Sequence, residues 1–465
     1  MREIDTDQDG ATRAVGLHLT TLSLIACLCL LTFCAHYPGQ ASIDAIVQLQ
    51  DGISGVYDSN QPPPMSWLMA LLSLPGVLGL NVVLFGLAVA VLLKQLPASV
   101  TTQNTAVFLL FCFPVLLVYN GIVWKDVLFA NGALLGLLLL PQGRNKLHWH
   151  SLIVSAAVLA LAVSVRQQGV LAAAFAIAYM LLTPTIFLVR GDRFKALGLW
   201  LLVYFACGSL IEVFVAESGD TSQSASLDGP LYQLSTFDLG GIAALNPDIH
   251  FPALEAGAHE IALGHQPTRE RVMSALSGYS PDRHDWMGES IAASGAWFPK
   301  EALYQDWRTR IIEYPLDYMA HRLDFLSWLY GFHNVNQCAP FFWGISAEPS
   351  SMVKEIGLES GVSWRAERLQ ALSAMSVFLF RPFIYLAVSM LVLSILLFQR
   401  RRHCMNMIAI QLAGLSYAAS YAVVGIACDF RYTYFSTLVA LFGLVYLVLS
   451  RFTISHRLSD KSEFM

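Results

Sequence analysis

Charged residues are scarce in this 465-residue chain, where they make up only 13% of the positions. A soluble domain of ordinary composition carries about 25%. Apolar residues fill the difference, because they account for 55% of the chain and many stand in runs long enough for a helix to cross a bilayer. The composition therefore excludes an ordinary soluble domain and predicts an all-α integral membrane protein.

Sequence motifs for metal binding are missing as well. The twelve histidines are scattered, with no HExxH among them, and the eight cysteines show no CxxC or CxxH spacing. We therefore expect no metal or other cofactor, although a divalent metal held by carboxylates stays open at this point.

The cysteines predict no disulfide framework. Seven of the eight lie in or at the ends of apolar runs, and only Cys338 lies well inside a long polar segment. No run has the charged start and small-residue cleavage site of a signal peptide, so we expect Leu17–Phe33 to belong to a retained first span.

The apolar runs predict about ten transmembrane helices, a seven-span core followed by three more spans. Their approximate bounds are 17–35, 75–93, 105–120, 126–141, 149–165, 168–189, 195–215, 376–398, 405–425 and 432–450. The predicted domains are the seven-span core (1–215, with a first outer loop at 36–74), an extracytoplasmic loop domain (216–375), and three C-terminal spans with a cytoplasmic tail (376–465).

Lysine and arginine orient these spans, because short cytoplasmic loops are enriched in both residues. With the N-terminus in the cytoplasm, fourteen cations fall in short inside segments and three in short outside connections. We therefore expect a multi-pass protein of the inner (cytoplasmic) membrane with both termini in the cytoplasm. The fourteen are Arg2, Arg13, Lys94, Arg144, Lys146, Arg190, Arg193, Lys195, Arg400, Arg401, Arg402, Arg451, Arg457 and Lys461, and the three are Lys125, Arg166 and Arg431.

The few charges in short outside connections all face one compartment. They occur in WKD (124–126), RQQG (166–169) and CDFRY (428–432), and the loop after the first span adds more. Each group also has a structural explanation. The alternatives are a solvated helix face for Asp51, a local pair of Lys125 with Asp126 at a helix start, headgroup contact for Arg166, and a weak surface ion pair between Asp429 and Arg431. Four loops would then keep charges on one side for unrelated reasons, so we favour a shared site.

The first outer loop contains a helical pattern over residues 42–57. Apolar residues recur there at three- and four-residue spacing, which predicts a helix with one apolar stripe. The stripe consists of Ile43, Ile46, Leu49, Ile53 and Val56, and the opposite face carries Asp44, Gln48 and Asp51.

A second such helix is predicted from Pro315 to residue 330, with an apolar stripe (Leu316, Met319, Leu323, Leu326 and Tyr330) and a polar one (Asp317, His321 and Asp324). We expect that second helix to pack in a core.

This pattern resembles the GT-C class of membrane glycosyltransferases, such as protein O-mannosyltransferases and lipid A aminoarabinose transferases, which use polyprenyl-phosphate-linked sugars. The resemblance lies in the seven-span core followed by a long outer loop and in a double proline shortly before Trp-Leu, which is matched by Pro63, Pro64, Trp67 and Leu68. It implies that Asp44 in SIDAIVQ is the catalytic acidic residue of the first outer loop and that Asp126 in WKD is the second acidic position.

The sequence departs from the class just before the double proline. Members of the class often carry His or Lys there, whereas this chain has Gln61–Pro62. If that basic residue helps to bind a phosphate, its role must pass to Lys125, Arg166 or Arg431.

Sugar transfer from a lipid phosphate needs a base for the attacking hydroxyl and a cation for the departing phosphate. We predict inverting transfer to an acceptor hydroxyl, with Asp44 as the base and Asp126 as a catalytic group that orients Lys125 or the acceptor. The predicted substrate-binding residues are Lys125, Arg166, Gln167, Arg431, Tyr432, Gln61 and Asp51. The expected partners are a polyprenyl-phosphate-linked sugar donor, a glycan, lipid or protein acceptor, and membrane lipid, but no nucleic acid.

Two other functions stay open. A transporter or flippase would also place charges along an outward-facing path, but ionisable residues near mid-span and repeated halves are not evident beyond Glu212. A polysaccharide polymerase or ligase that acts on lipid-linked glycans would share the same partners.

Overall fold

The computed structural model describes residues 17–57, 61–96, 98–141, 149–182, 190–220, 228–257, 269–294, 298–334, 338, 340–399 and 404–462. Within these ranges the chain is helical and forms no β-strand, although isolated backbone bridges join some loops. Residues 216–375, which the basic residues predict to be extracytoplasmic, are called the outer segment below. The helices before it are α1 (Leu19–His36), α2 (Ile43–Ser54), α3 (Pro63–Lys94), α4 (Val100–Cys112), α5 (Pro114–Tyr119), α6 (Lys125–Leu138), α7 (Trp149–Val165), α8 (Val170–Leu182) and α9 (Arg190–Ser218).

The long outer segment and the C-terminal region are helical too. The helices of the outer segment are α10 (Asp228–Leu245), α11 (Pro252–Gly257), α12 (Arg269–Leu276), α13 (Asp285–Ser294), α14 (Lys300–Glu313), α15 (Pro315–Leu329), α16 (Ser350–Ile356) and α17 (Trp364–Ala374). They are followed by α18 (Pro382–Gln399), α19 (Met405–Val424) and α20 (Tyr434–Ser462), and 3-10 turns cover Gln167–Gly169, Val377–Phe380 and Phe430–Thr433.

Among the residues that the structure describes, six helical stretches are long and apolar enough to cross a membrane: Leu19–His36, Pro63–Lys94, Asp192–Ser218, Pro382–Gln399, Met405–Val424 and Phe430–Ser450. The predicted third to sixth spans fall instead on shorter helices, α4 with α5, α6, α7 and α8. An all-α protein with membrane-spanning helices is therefore consistent with the structure, while the number of ten spans stays a prediction, as do the three domains.

Helix α6 forms the centre of the core and carries the WKD stretch at its start. Every residue from Asp126 to Leu138 is buried, because α3, α7, α8, α19 and α20 surround the helix. A helix that is apolar on all sides is buried either in a protein core or in a membrane. Its first residues are thereby held in a fixed position at one end of the helix.

Helix α3 begins earlier than the predicted second span. Pro62 precedes the helix, and Pro63 and Pro64 occupy its first turn, where proline is tolerated because the first N–H groups have no helical partner. The backbone kinks at Ser73, whose φ is 58°, just before Pro75. The predicted span of 75–93 is the part of α3 after this kink.

Helix α2 forms where the periodicity predicts it, but its apolar stripe is not buried as a unit. Ile46 and Leu49 are buried against α3, whereas Ile43 and Ile53 are exposed. Gln48 belongs to the buried face, contrary to the prediction. The Gln48 amide can be buried because it donates a hydrogen bond to the side chain of Gln61.

The prediction about cysteines is wrong, because Cys338 and Cys428 form a disulfide bond. Cys428 was assigned to the end of a span. In the structure it lies in the non-helical connection between α19 and α20, outside both helices. The error arises because apolar residues around a cysteine do not show whether the cysteine lies within a helix or in the connection that follows it.

A cluster of charged and aromatic side chains lies inside the outer segment, and we call it the loop cluster: Asp238, His321, Arg322 and Trp307. Asp238 Oδ1 accepts a hydrogen bond from His321 Nε2 (3.1 Å) and pairs with Arg322, while Asp238 Oδ2 accepts one from Trp307 Nε1 (2.8 Å). The side chains of Asp238 and His321 are completely buried. Burial lowers the pKa of His321.

Helix α15 begins at Pro315 as predicted, but burial along it does not follow the two predicted stripes. The polar side chain of His321 is buried, whereas Leu316, Met319 and Leu323 are exposed. The His321 ring can be buried because Asp238 supplies a hydrogen-bond partner for it, which offsets the cost of burying a polar group.

Candidate active site

A cavity of about 360 Å³ lies where α2, α6, α10 and the connection between α19 and α20 meet. Charged and amide side chains dominate the part of its wall that comes from residues 1–215. Its lining residues are Asp44, Gln61, Pro62, Pro63, Lys125, Arg166, Gln167, Gln168, Pro230, Gln233, His284, Asp285, Tyr421, Val424, Gly425, Ile426, Ala427, Asp429, Arg431 and Tyr432.

Asp44 and Arg431 form an ion pair at this cavity. Asp44 lies in the first turn of α2, and its Oδ2 atom accepts a hydrogen bond from Arg431 Nη1. Arg431 Nη2 also contacts Asp429 Oδ2 at 3.0 Å. The side chain of Asp44 stays 36% exposed, while that of Arg431 is 15% exposed. The pair is therefore reachable from the cavity mainly on the side of the carboxylate.

The charges around Asp44 shift its acidity. The Arg431 guanidinium holds the pKa of Asp44 below its usual value, and Lys125 and Arg166 act in the same direction. Burial raises the pKa of Asp429 instead. Asp429 and Arg431 are both mostly buried, so the alternative of a weak surface ion pair between them is wrong.

Asp126 pairs with Arg166 and not with Lys125. Arg166 Nη1 lies 2.8 Å from Asp126 Oδ1, and Arg166 Nη2 donates to Tyr421 Oη (2.6 Å) and to Gln168 Oε1 (3.1 Å). The Asp126 side chain is only 1% exposed and does not line the cavity. Adjacent helical residues point in different directions, which explains why the neighbours Lys125 and Asp126 do not face each other.

Lys125 lines the cavity and donates a hydrogen bond from Nζ to Gln61 Oε1 over 2.8 Å. Among the described residues, no carboxylate lies within ion-pair distance of this ammonium group. The Gln61 side chain thus holds a cation in place. Arg166 and Arg431 each pair directly with an aspartate, whereas the direct partner of Lys125 is an uncharged amide.

Aromatic rings hold the two guanidinium groups. Arg431 lies over Trp124 at 5.1 Å and over Tyr432 at 5.2 Å, and Arg166 lies over the same Tyr432 ring at 5.2 Å. Tyr421 stacks on Tyr432 with ring centroids 5.3 Å apart. Such contacts attract a cation to a ring face and fix its orientation.

The charged residues at the cavity and directly behind it are called the cavity cluster: Asp44, Asp126, Asp429, Lys125, Arg166 and Arg431.

The structure brings most of the predicted site residues together. Seven of the nine line the cavity: Asp44, Gln61, Lys125, Arg166, Gln167, Arg431 and Tyr432. Asp126 lies behind Arg166. Asp51 does not line the cavity, because it follows Asp44 by seven residues and therefore lies about 10 Å further along α2. The roles assigned to these residues stay predictions.

Several cavity residues come from the outer segment and were not predicted, above all Gln233, His284 and Asp285. The His284 backbone N–H donates to the Ile426 carbonyl (2.8 Å), and His284 Nε2 lies 2.8 Å from Thr236 Oγ1. Burial lowers the pKa of His284. The only signal in the sequence is the concentration of ionisable residues in PDRHDW (281–286), which has no helical or strand periodicity.

Within the ranges that the structure describes, no group of three or more His, Cys, Asp or Glu side chains is arranged to hold a metal ion. The carboxylates of the cavity cluster have guanidinium partners instead. The expectation of a cofactor-free protein stays a prediction.

No protein-family model matches the chain, and no curated protein matches its sequence. Among solved structures, the chain is similar to the archaeal oligosaccharyltransferase AglB from Archaeoglobus fulgidus, in complex with an inhibitory peptide and a dolichol-phosphate, with 14% identity and a TM-score of 0.41. The match covers 95% of this chain and 52% of the archaeal chain, so the present chain spans about half the length of that protein. The side chains of the cavity carry the functional inference that follows.

Proposed function

We propose that this protein is an inverting membrane glycosyltransferase of the GT-C type that transfers a sugar from a polyprenyl-phosphate donor to an acceptor hydroxyl. One observation carries the proposal: a partly exposed carboxylate, Asp44, shares a cavity wall with three cations, Lys125, Arg166 and Arg431. This is the arrangement that the reaction requires, because a proton must leave the acceptor while negative charge accumulates on the departing phosphate.

In the proposed reaction, the acceptor oxygen forms a bond to the anomeric carbon as the bond from that carbon to the phosphate oxygen breaks. The hydroxyl proton passes to Asp44, and the electron pair of the broken bond stays on the polyprenyl phosphate. A phosphate is a good leaving group, so the second carboxylic acid of a glycosidase is not required. The products are the glycosylated acceptor and the free lipid phosphate.

The cations divide this work according to their surroundings. Lys125 contacts the donor phosphate, since its direct partner is the neutral amide of Gln61. Arg166 is held by Asp126 and Tyr421 and supports the same negative charge from a fixed position. Asp126 therefore orients Arg166, in place of the predicted orientation of Lys125.

Donor binding also prepares the base. The ion pair with Arg431 neutralises Asp44, which makes the carboxylate a weak proton acceptor. A donor phosphate competes with Asp44 for the Arg431 guanidinium, whose planar N–H groups suit bidentate contact with phosphate. Once Arg431 turns to the phosphate, we expect the pKa of Asp44 to return toward its usual value and its basicity to increase.

Two features support an extracytoplasmic position for this site. The cavity residues fall in the outer connections assigned by the distribution of lysine and arginine. The disulfide between Cys338 and Cys428 lies three residues from Arg431, and disulfides persist in oxidising compartments outside the cytoplasm. The proposed orientation follows from both.

A donor screen tests the proposal. Purified protein in proteoliposomes is incubated with a panel of polyprenyl-phosphate sugars and with hydroxyl acceptors, and release of free polyprenyl phosphate is measured. We expect release with at least one donor. If the protein moved intact donors across the bilayer without cleaving any of them, a flippase would replace the transferase.

A further inference from the structure

Three separate parts of the chain meet in a small ladder of backbone bridges beside the cavity. Residues 40–41 lie in its middle. On one side, Gln40 N–H donates to the Gly121 carbonyl (3.0 Å) and Val123 N–H donates to the Gln40 carbonyl (2.8 Å). On the other side, Ala41 exchanges two hydrogen bonds of 2.8 Å with residues 344 and 346.

The residues anchored in the ladder precede two of the reactive residues by the same number of positions in the sequence. Asp44 follows Ala41 by three residues, and Lys125 follows Ile122 by three residues. Trp124 Nε1 also donates to Ser42 Oγ over 2.7 Å, which ties the start of α6 to the start of α2. The ladder thus sets the position of Asp44 relative to Lys125.

Arg431 has its anchor outside the ladder, at the disulfide bond. Cys428 precedes Arg431 by three residues and is bonded to Cys338. From Cys338 the chain leads to Pro340, whose carbonyl accepts a hydrogen bond from Tyr119 Oη (2.7 Å), and then into the ladder at residues 344–346. We call Cys338 together with residues 340–346 the strap.

The strap therefore connects the segment that carries Asp44 to the segment that carries Arg431. One end is covalently attached next to Arg431, and the other is hydrogen-bonded next to Asp44. Tyr119 reinforces the middle, because its ring stacks on Tyr434 with centroids 4.6 Å apart at the start of α20. Along the chain, the two halves of the pair are separated by 387 residues.

We propose that the strap is a positioning element for the reaction, and that the disulfide between Cys338 and Cys428 places Arg431 against Asp44. This inference rests on the proposed glycosyl transfer. It makes full activity dependent on oxidation of the two cysteines, so the enzyme would reach its working geometry only after these residues enter an oxidising compartment.

The test compares the oxidised protein, the same protein after reduction, and the double variant Cys338→Ser with Cys428→Ser. Dithiothreitol reduces the protein disulfide to two thiols and is itself oxidised to a cyclic disulfide, so two electrons and two protons are balanced. Cys112→Ser, which replaces an exposed free cysteine, is the matched control.

Two readouts are measured on each sample: donor turnover, and the titration of Asp44. The titration uses the carboxylate infrared band of labelled aspartate, assigned by its loss in Asp44→Asn. The charged groups that face Asp44 are Arg431, Lys125, Arg166 and Asp429, and only the placement of Arg431 and Asp429 should depend on the disulfide.

We expect reduction or the double substitution to lower kcat/KM for the donor about tenfold, because Arg431 is no longer held where it can reach the donor phosphate, and to raise the pKa of Asp44. Dithiothreitol should have no effect on the double variant, which has no disulfide to reduce. It should affect Cys112→Ser to the same extent as wild type. An unchanged Asp44 titration would overturn the proposal, even if activity fell together with thermal stability, because the disulfide would then only stabilise the fold. If no donor were turned over at all, the proposed function would fail while the Asp44 titration would still test the strap.

Discussion

The cavity cluster and the loop cluster are built from the same kinds of residue but differ in how completely their charges are satisfied. In the loop cluster, both oxygens of Asp238 have partners and the side chain is fully buried. In the cavity cluster, Asp44 is 36% exposed and Lys125 has only the neutral Gln61 as a direct partner in the described part of the chain. A satisfied buried cluster fixes a fold, whereas charges left open toward a cavity are available to a ligand.

The two clusters are also mechanically connected. Arg322 pairs with Asp238 and donates a second hydrogen bond, from Nη1 to the Gly425 carbonyl, over 2.6 Å. Gly425 lines the cavity. The loop cluster thus supports the cavity wall without reaching the cavity, and substitutions in the two clusters should have separable effects.

The largest expected effect on stability comes from Asp238→Ala. This change leaves Arg322 buried without its carboxylate, and removal of one partner from a buried pair costs about 3–5 kcal/mol. The free energy of unfolding in mixed micelles, followed by circular dichroism, should fall by that amount. Asp324→Ala, which replaces an exposed carboxylate on the same helix as Arg322, should change it by less than about 0.5 kcal/mol. Equal stabilities of the two variants would show that the loop cluster is not structural.

The next largest effect should come from Lys125→Met, in the cavity cluster. Loss of one charged hydrogen bond to the donor phosphate is worth about 1.5–3 kcal/mol, so donor turnover should fall about 10- to 100-fold. Lys125→Arg should retain part of the activity, because it keeps the charge. Stability should not fall, since the variant no longer buries an ammonium group.

The control for this prediction is Lys94→Met, which removes an exposed cation at the C-terminal end of α3, away from the cavity. This variant should leave donor turnover unchanged. If Lys125→Met destabilised the protein while the folded molecules turned over donor normally, Lys125 would have a structural role like that of Arg322.

A smaller effect is expected from His321→Gln, and it depends on pH. Burial lowers the pKa of His321 in the folded state, so the unfolded chain takes up a proton at a higher pH than the folded one. This contribution to stability is complete above pH about 6.5 and is lost as the pH falls below that value. Between pH 7 and 5.5, wild type should lose more free energy of unfolding than His321→Gln.

Much of the framework could be predicted from residue patterns. Apolar runs mark the helices from α1 to α9 and from α18 to α20, because burial in lipid or in a helical core requires them. Sorting the basic residues by side placed Lys125, Arg166 and Arg431 in one compartment, and these three residues share a cavity in the structure. The periodicity of residues 42–57 located α2 and, with it, Asp44.

The pairing within the site could not be predicted. Asp44 with Arg431 and Asp126 with Arg166 are contacts between distant parts of the chain, which depend on how α2, α6 and the α19–α20 connection pack. Local reasoning joined the neighbours Lys125 and Asp126 instead. His284 was missed because it lies outside regular structure, between α12 and α13, where no periodic pattern marks a side chain as buried.

The measurement that tests the assignment of the cavity cluster most directly is the rate of polyprenyl-phosphate release by Asp44→Asn compared with Asp51→Asn. Both changes replace one carboxylate by an amide on α2, but only Asp44 lines the cavity. We expect Asp44→Asn to be about 1,000-fold slower than wild type, because it removes the proton acceptor, and Asp51→Asn to stay within a few-fold of wild type. Equal losses in the two variants, or a near-normal rate for Asp44→Asn in correctly folded protein, would contradict the role of Asp44 as the base.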